Sequence, residues 1–204
     1  MVDLAQVDDL MLSLYLCQGT MPEHRHVDQD ELFLVYSGSI TLESEWGTVV
    51  LRPWEVAVVP KGVGHRSSSM LHSLVLLLEP RVMVHRRNGD RRLFALKDEG
   101  HLEKVSVSAV GMQVAVPFQP VTLADLDMFA CSVMLCRGSG PWWKADNQSS
   151  LVLCHAGRLS VDSEVGQASL EEGELVVVPV GVGYRLSSPG GAIVLGVQRH
   201  KQPG

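Results

Sequence analysis

The chain has 204 residues, with 17 Lys and Arg against 23 Asp and Glu for a formal charge of −6, and 46% of its residues are hydrophobic. That acidic balance argues against the basic face that nucleic-acid recognition needs, and no run reaches the roughly 20 apolar residues of a membrane-spanning helix. The opening stretch "MVDLAQVDDLMLSLYL" also lacks the basic flank of a secretion signal, so a cytoplasmic protein with no nucleic-acid or membrane partner is expected.

Short runs of Val, Leu, Ile and Phe, broken by Gly, Pro and Ser about every 8 to 12 residues, predict an all-β sandwich or barrel. Strands are expected near residues 10–18, 22–27, 31–36, 39–44, 48–51, 56–59, 64–68 and 71–79. Further on, "VMVHRRNGDRRLFAL" carries Asn88-Gly89, a pair that closes two-residue hairpins, with Arg86, Arg87, Arg91 and Arg92 as its solvated face. "KVSVSAVGMQVAV", from Lys104, alternates like another half-buried strand. Cys17, Cys131, Cys136 and Cys154 stand in or beside apolar runs without paired metal spacings, and are expected to be buried free thiols.

The chain repeats itself. Pro22–Ser68 aligns with Pro141–Ser187 at a constant shift of 119 without a gap, and 18 of the 47 positions are identical. "PKGVGHRSSS" from Pro60 answers to "PVGVGYRLSS" from Pro179, and "LFLVYSGSITLESEWG" from Leu32 to "LVLCHAGRLSVDSEVG" from Leu151. A period of this kind sets the domain organisation. A first barrel is expected over 1–80, a folded connection with the hairpin and the first strands of the second barrel over 81–120, and a second barrel over 121–204.

The chemistry-bearing residues lie in the first copy. Side chains in a strand alternate between faces, so His24 and His26 share one, and Glu31 opens the next strand with the core-facing parity of Phe33 and Val35. His65 leaves the corner made by Pro60 and Gly62. Three neutral imidazoles and one carboxylate suit a divalent first-row metal, and a buried glutamate among them is costly without a cation. Asp30 has outward parity. His72, His85, His101, His155 and His200 lack companions of this kind and read as structural or surface groups.

The string His24-x-His26-x4-Glu31-x6-Gly38, followed by Pro60-x-Gly62-x2-His65, resembles the two motifs of the cupin superfamily of small six- to eight-strand jelly-roll barrels. The resemblance implies two tandem cupin-type jelly-roll barrels, a bicupin, with a metal held by His24, His26, Glu31 and His65 at the mouth of the first. The ion so implied is one divalent transition metal, with Fe, Mn, Ni and Zn as the candidates. One departure is Trp54, where the family has a glycine before the second motif; the second copy keeps it as Gly173.

In the second copy, Trp143, Ala145, Ser150 and Tyr184 stand where the first has His24, His26, Glu31 and His65. Ala and Trp offer no ligand atom and Ser and neutral Tyr are poor donors, so the second barrel is expected to be metal-free. Trp143 and Tyr184 either fill the vacated mouth, leaving a scaffold and interface, or line a pocket for a metal-free ligand. The expected function is a metal-dependent enzyme on a small molecule, dioxygenase-like or isomerase/cyclase-like; the alternative is a metal-dependent small-molecule sensor. No catalytic base is identified among Tyr15, Tyr36, Lys61 and Arg66. The apolar inward set Phe33, Val35 and Val63 favours a hydrophobic or aromatic substrate. Exposed strand edges and sheet faces lead to the expectation of a homodimer.

Overall fold

A computed structural model describes residues 1–81 and 100–200, and the chain forms two compact units, Met1–Val105 and Ser106–Gly204. The Asn88-Gly89 hairpin and its arginine cluster lie outside the described residues. The first unit contains β1 (Val2–Val7), β2 (Leu10–Thr20), β3 (Glu31–Ser37), β4 (Ile40–Ser44), β5 (Gly47–Leu51), β6 (Glu55–Val59), β7 (His65–Pro80) and β8 (Lys104–Ser106). Its strands follow the order β1-β2-β7-β3-β6-β8, with β4 pairing β5 and β7.

The 16 residues of β7 organise the unit. Its first part pairs β4, from Thr41↔Ser68 to Ser44↔His65, and its second part pairs β3, from Leu32↔Leu78 to Ser37↔Leu74. β2 runs antiparallel along both parts. A strand can serve two neighbours on one side only if it bends, and the bend falls in "SSSMLHS", where small hydroxyl residues replace bulky ones. Ser69 and Ser73 are buried there, and their hydroxyls donate to Ser39 O at 2.8 and 2.9 Å. Gly38 sits against this corner at φ +82, and a Cβ on it would come within 2.3 Å of Ser73 Oγ.

Alternation places Phe33, Val35, Ala57, Val59, Val75 and Leu77 in one cluster with Ile40, Leu42, Leu51 and Val63, the interior of the barrel. Leu32 and Leu34, on the opposite face of β3, are buried as well, so β3 reads as an unbroken apolar run. Trp54 has φ +62, a left-handed conformation that costs a bulky residue about 1–2 kcal/mol. It is nonetheless buried, edge-on to Tyr36 at 5.8 Å, and burying an indole is worth about 3 kcal/mol or more, so packing wins. Gly173 meets the same backbone demand at φ +84 without strain.

The second unit repeats the plan after α1 (Val107–Gln113): β9 (Val121–Leu126), β10 (Phe129–Trp143), β11 (Ser150–Gly157), β12 (Leu159–Ser163), β13 (Gly166–Leu170), β14 (Leu175–Val178) and β15 (Tyr184–Arg199). β15 plays the part of β7, pairing β10, β11 and β12 antiparallel. The fold is all-β in two jelly-roll barrels, as expected. All four cysteines are free and buried, and burial pushes the Cys131 and Cys136 thiols up to about 12.

Four local expectations are corrected. Val2–Val7 forms β1, pairing with β2, where no strand was expected. Residues 22–27 are not a strand: the segment is extended, and His24 makes a lone bridge to His65. The two strands expected at 64–68 and 71–79 are one bent strand. The alternation from Lys104 gives only three strand residues before α1, because Val107 and Gly111, four apart, are also buried on one helical face. Ser106 caps that helix, accepting from Ala109 N at 3.2 Å.

Gly38→Ala should destabilise the protein by about 2–4 kcal/mol, strain plus overpacking. Gly19→Ala, at φ +74 with nothing within 4 Å of the added methyl, should cost only about 1 kcal/mol. Denaturant unfolding of both variants checks the difference.

Candidate metal centre

Three segments bring the site together. Residues 21–26 lie antiparallel to the start of β7: Met21 N donates to Ser67 O at 2.9 Å, His24 N to His65 O at 3.0 Å and His65 N to His24 O at 2.9 Å. Gly62 N donates to His26 O at 2.6 Å, tying the second histidine to the Pro60 corner. Glu31 begins β3 opposite Val59. Asp30 faces the other way and accepts from Lys61 N at 2.9 Å, which joins the loop before β3 to the same corner.

His24, His26, Glu31 and His65 each offer one donor atom, all within 4.8 Å of one another. Atoms sharing an ion at about 2.1 Å would lie about 3 to 4 Å apart, close to this arrangement. His65 and Glu31 are buried, His26 is half-buried and His24 is exposed, so the cluster runs from the barrel interior to its rim. The imidazoles pack tightly, with ring centroids 4.4 Å apart for His24 and His65 and 5.0 Å for His24 and His26. Phe33 meets His65 edge-on at 5.7 Å.

The tautomers are set from behind. His24 Nδ1 lies 3.1 Å from Pro22 O, and His65 Nδ1 lies 3.1 Å from Val63 O. A carbonyl can only accept, so both Nδ1 atoms carry the proton and both Nε2 lone pairs face the cluster. Glu31 Oε2 is 2.8 Å from His65 Nε2, and Glu31 Oε1 is 3.2 Å from His26 Nε2. Yet His26 Nε2, Glu31 Oε2 and His65 Nε2 are solvent-inaccessible atoms without a well-directed hydrogen bond. Orphaning a buried polar atom costs about 1–3 kcal/mol, so three together mark a place built for a shared partner. A cation fits the donor set.

The electrostatics differ between the rings. Burial pushes the His26 imidazolium down, and Glu31 only partly restores it. Burial opposes the charged form of His65 too, but the Glu31 carboxylate and the Val63 carbonyl together outweigh it and raise the pKa. Tyr15, unplaced by sequence, lies on the inner wall with its hydroxyl 3.2 Å from Ser67 Oγ. Burial, opposed by the hydrogen bond to Ser67 and aided by the nearby Glu31 carboxylate, holds the phenol protonated well above its ordinary range. Tyr36 is exposed and Arg66 pairs with Glu43 at 2.5 Å, both turned outward as parity indicated.

Sequence reasoning missed Gln29 and Glu79. Gln29 is buried and its Nε2 donates to Glu79 Oε2 at 2.8 Å. Burial, followed by the neighbouring charges of Glu31 and Asp3, raises the Glu79 carboxyl. The signal was present: Glu79 has the parity of the inward Val75 and Leu77.

The corresponding place in the second unit is aromatic. β10 continues unbroken to Trp143, which pairs with Tyr184, and the two rings lie 5.7 Å apart with Phe118 6.1 Å beyond Trp143. Burial raises the Tyr184 phenol, and Ser150 hydrogen-bonds it from the position of Glu31. Among the described residues, the one His/Cys/Asp/Glu group able to hold a metal is the first-unit cluster.

Residues 2–72 match a family described as homogentisate 1,2-dioxygenase N-terminal. The protein YdbB of Bacillus subtilis is 31% identical over 77 residues, 37% of this chain and 68% of that protein. The fold resembles a cupin 2 conserved barrel domain protein from Leptotrichia buccalis, with a TM-score of 0.73 at 10% identity over 98% of this chain and 88% of the other. It also resembles a salicylate 1,2-dioxygenase from Pseudaminobacter salicylatoxidans, with a TM-score of 0.75 at 13% identity over 97% and 75%. A glycine-to-alanine mutant of that enzyme, solved in complex with gentisate, matches with a TM-score of 0.71 at 11% identity over 95% and 69%.

Glu31→Gln should leave burial as the dominant influence on His65, so its imidazolium pKa should fall below that of a free imidazole. Titration of the histidine ring protons by NMR, on metal-free protein, checks this.

Proposed function

The chain belongs to the cupin superfamily as a bicupin, and we propose that its first barrel is a mononuclear metal site that oxidises a small aromatic or apolar substrate. The observation that carries this is the set of three solvent-inaccessible ligand atoms on His26, Glu31 and His65, which face one another without a well-directed hydrogen bond, completed at the rim by His24. Four protein donors leave two of the six positions of an octahedral ion, enough for a substrate that chelates through two oxygens. A redox-active ion such as iron(II) would supply oxidation there; zinc, manganese or nickel would supply Lewis-acid polarisation.

The protein's own residues favour the first chemistry. Phe33, Val35, Val63 and Leu77 wall the interior, which suits an aromatic ring. The arginines nearest the mouth are engaged, Arg25 with Glu45 and Arg66 with Glu43, so a phosphorylated substrate would find them already paired. Tyr15, held protonated, can donate a hydrogen bond to a substrate oxygen but cannot act as a base at neutral pH. Isomerisation or cyclisation must move a proton between substrate atoms, a task Tyr15 cannot perform as a base.

A second reading rests on Glu79. A half-buried carboxyl with a raised pKa beside Glu31 is of the kind that serves as general acid or base, and would support Lewis-acid isomerase or cyclase chemistry. The two separate cleanly. Protein purified without a metal-affinity tag is assayed for metal and for oxygen uptake with a panel of 2-hydroxybenzoates and dihydroxybenzenes. Iron with substrate-dependent uptake supports the oxygenase. Zinc, manganese or nickel without uptake, together with loss of turnover in Glu79→Gln, supports the second reading. Metal binding with ligand-dependent shifts but no turnover would mark a sensor.

His26→Ala should lower metal content at least about tenfold, since a chelate loses one of its four donors. Tyr184→His alone should add no metal, because Trp143, Ala145 and Ser150 supply no companion ligands. Elemental analysis of both variants checks this pair, and full metal stoichiometry in His26→Ala would overturn the site.

A further inference from the structure

The duplication supplies a control for the interior of the first barrel. The shift of 119 holds in the strand registers beyond the aligned stretch: Tyr15↔Val75 in β2 and β7 becomes Met134↔Val194 in β10 and β15, and Leu42↔Ser67 becomes Val161↔Leu186. Inward positions such as Cys17 and Cys136, Val35 and Cys154, and Val75 and Val194 are apolar in both copies. Two others are not. Tyr15 and Ser67 answer to Met134 and Leu186, which pack into the second core. A barrel of this plan therefore closes with apolar residues at both places, and the polar pair occurs, like the four candidate ligands, in the first copy only.

The pair lies close to the histidine cluster. Ser67 is buried, follows His65 by two residues on β7 and shares its inward face, about 7 Å along the strand, a spacing on the scale of an aromatic ring with a substituent. Tyr15 packs against the core cluster of Phe33 and Val63, near enough to Glu31 for that charge to act on its phenol. The hydrogen bonding of the pair is incomplete. Tyr15 Oη and Ser67 Oγ lie 3.2 Å apart, and the Cys17 thiol donates to Ser67 Oγ at 3.8 Å. Two hydroxyls carry two protons, and the one hydrogen bond between them uses one. Whichever oxygen donates, the other O–H has no acceptor among the described residues, in an interior where an unmet donor is costly.

We propose that Tyr15 and Ser67 are the specificity pair of the first barrel, giving their spare O–H to a neutral oxygen, a hydroxyl or a carbonyl, on the side of an aromatic substrate away from its metal-chelating edge. This rests on the reading of that barrel as a site for an aromatic substrate. The chemistry of the pair defines the group it takes. Its free proton needs an acceptor, which an ammonium cannot be. A carboxylate would be desolvated there among two hydroxyls and a thiol, near Glu31 and without a cation beside it, so the acceptor is uncharged. A methyl in the same place would leave the O–H unmet, and a site built to bond a hydroxyl rejects the analogue that lacks it. The second barrel, with Met134 and Leu186, has no donor to offer at either place.

The test uses the full-length protein with the metal it is purified with, kept free of oxygen so that nothing turns over. The probes are three 2-hydroxybenzoates carrying a hydroxyl, a methyl or a carboxylate at carbon 5, across the ring from the 2-hydroxyl, and calorimetry gives their dissociation constants. The wild type should bind the hydroxyl probe at least about tenfold tighter than either of the others. Tyr15→Phe combined with Ser67→Ala should bring the hydroxyl and methyl probes to within about twofold of each other, with metal content unchanged because neither residue is a ligand. Tyr15→Phe alone serves if the double variant fails to fold, and should lower the preference at least about threefold. Equal affinity of the wild type for the hydroxyl and methyl probes, tightest binding of the carboxylate probe, or a preference that survives these variants would overturn the proposal. So would loss of metal in them, which would make the pair a support of the histidine cluster. Binding of none of the probes would remove the aromatic-substrate reading itself, and the proposal with it.

Discussion

A strand that must serve two neighbours on the same side fixes almost everything else in each unit. β7 pairs β4 with its first residues and β3 with its last, and this is achievable only through the serine-rich bend and the glycine pressed against it. The bend sets where β7 begins, at His65, and brings that residue beside Glu31 at the head of β3. The position of the candidate site is therefore a by-product of barrel closure. The second unit bends its long strand β15 in the same place, and the residues that reach the same point are Tyr184 and Ser150.

The site combines charge and burial in a way that packing alone would not favour. A carboxylate buried beside two imidazole nitrogens, none of them well hydrogen-bonded, raises the free energy of the metal-free fold, and a cation would remove that penalty. The orienting carbonyls of Pro22 and Val63 lie behind the rings and leave the lone pairs forward. In the second unit the same space is filled by neutral aromatic surface, which needs no counter-charge. The rings of Phe118, Trp143 and Tyr184 lie tilted against one another at that place.

Much of this was legible in the sequence because strand periodicity and turn residues report on different things. Alternation placed Phe33, Val35 and Glu31 on one face, and the Pro60 and Gly62 corner announced His65. The duplication then identified which residues belong to the framework and which to the chemistry. What was not legible depended on long-range pairing. His24 and His26 converge although their segment is no strand, because His65 and Gly62 hold it by backbone bonds. Val107 and Gly111 satisfy helix and strand periodicity over too short a run to separate them. Glu79 and Gln29 met only once β7 had been laid beside β3, and β1 was hidden because its residues are mostly exposed.

The indole of Trp54, held in a left-handed turn by its own burial, also gives the molecule a built-in optical label. Trp46 and Trp54 both belong to the first unit, while Trp142 and Trp143 belong to the second. Trp54 is 8% exposed and Trp142 55% exposed. Emission on the blue side of the fluorescence band is therefore weighted toward the unit with the histidine cluster, and quenching by a small aqueous solute toward its aromatic twin, so the melting of each half can be followed by colour without any added dye.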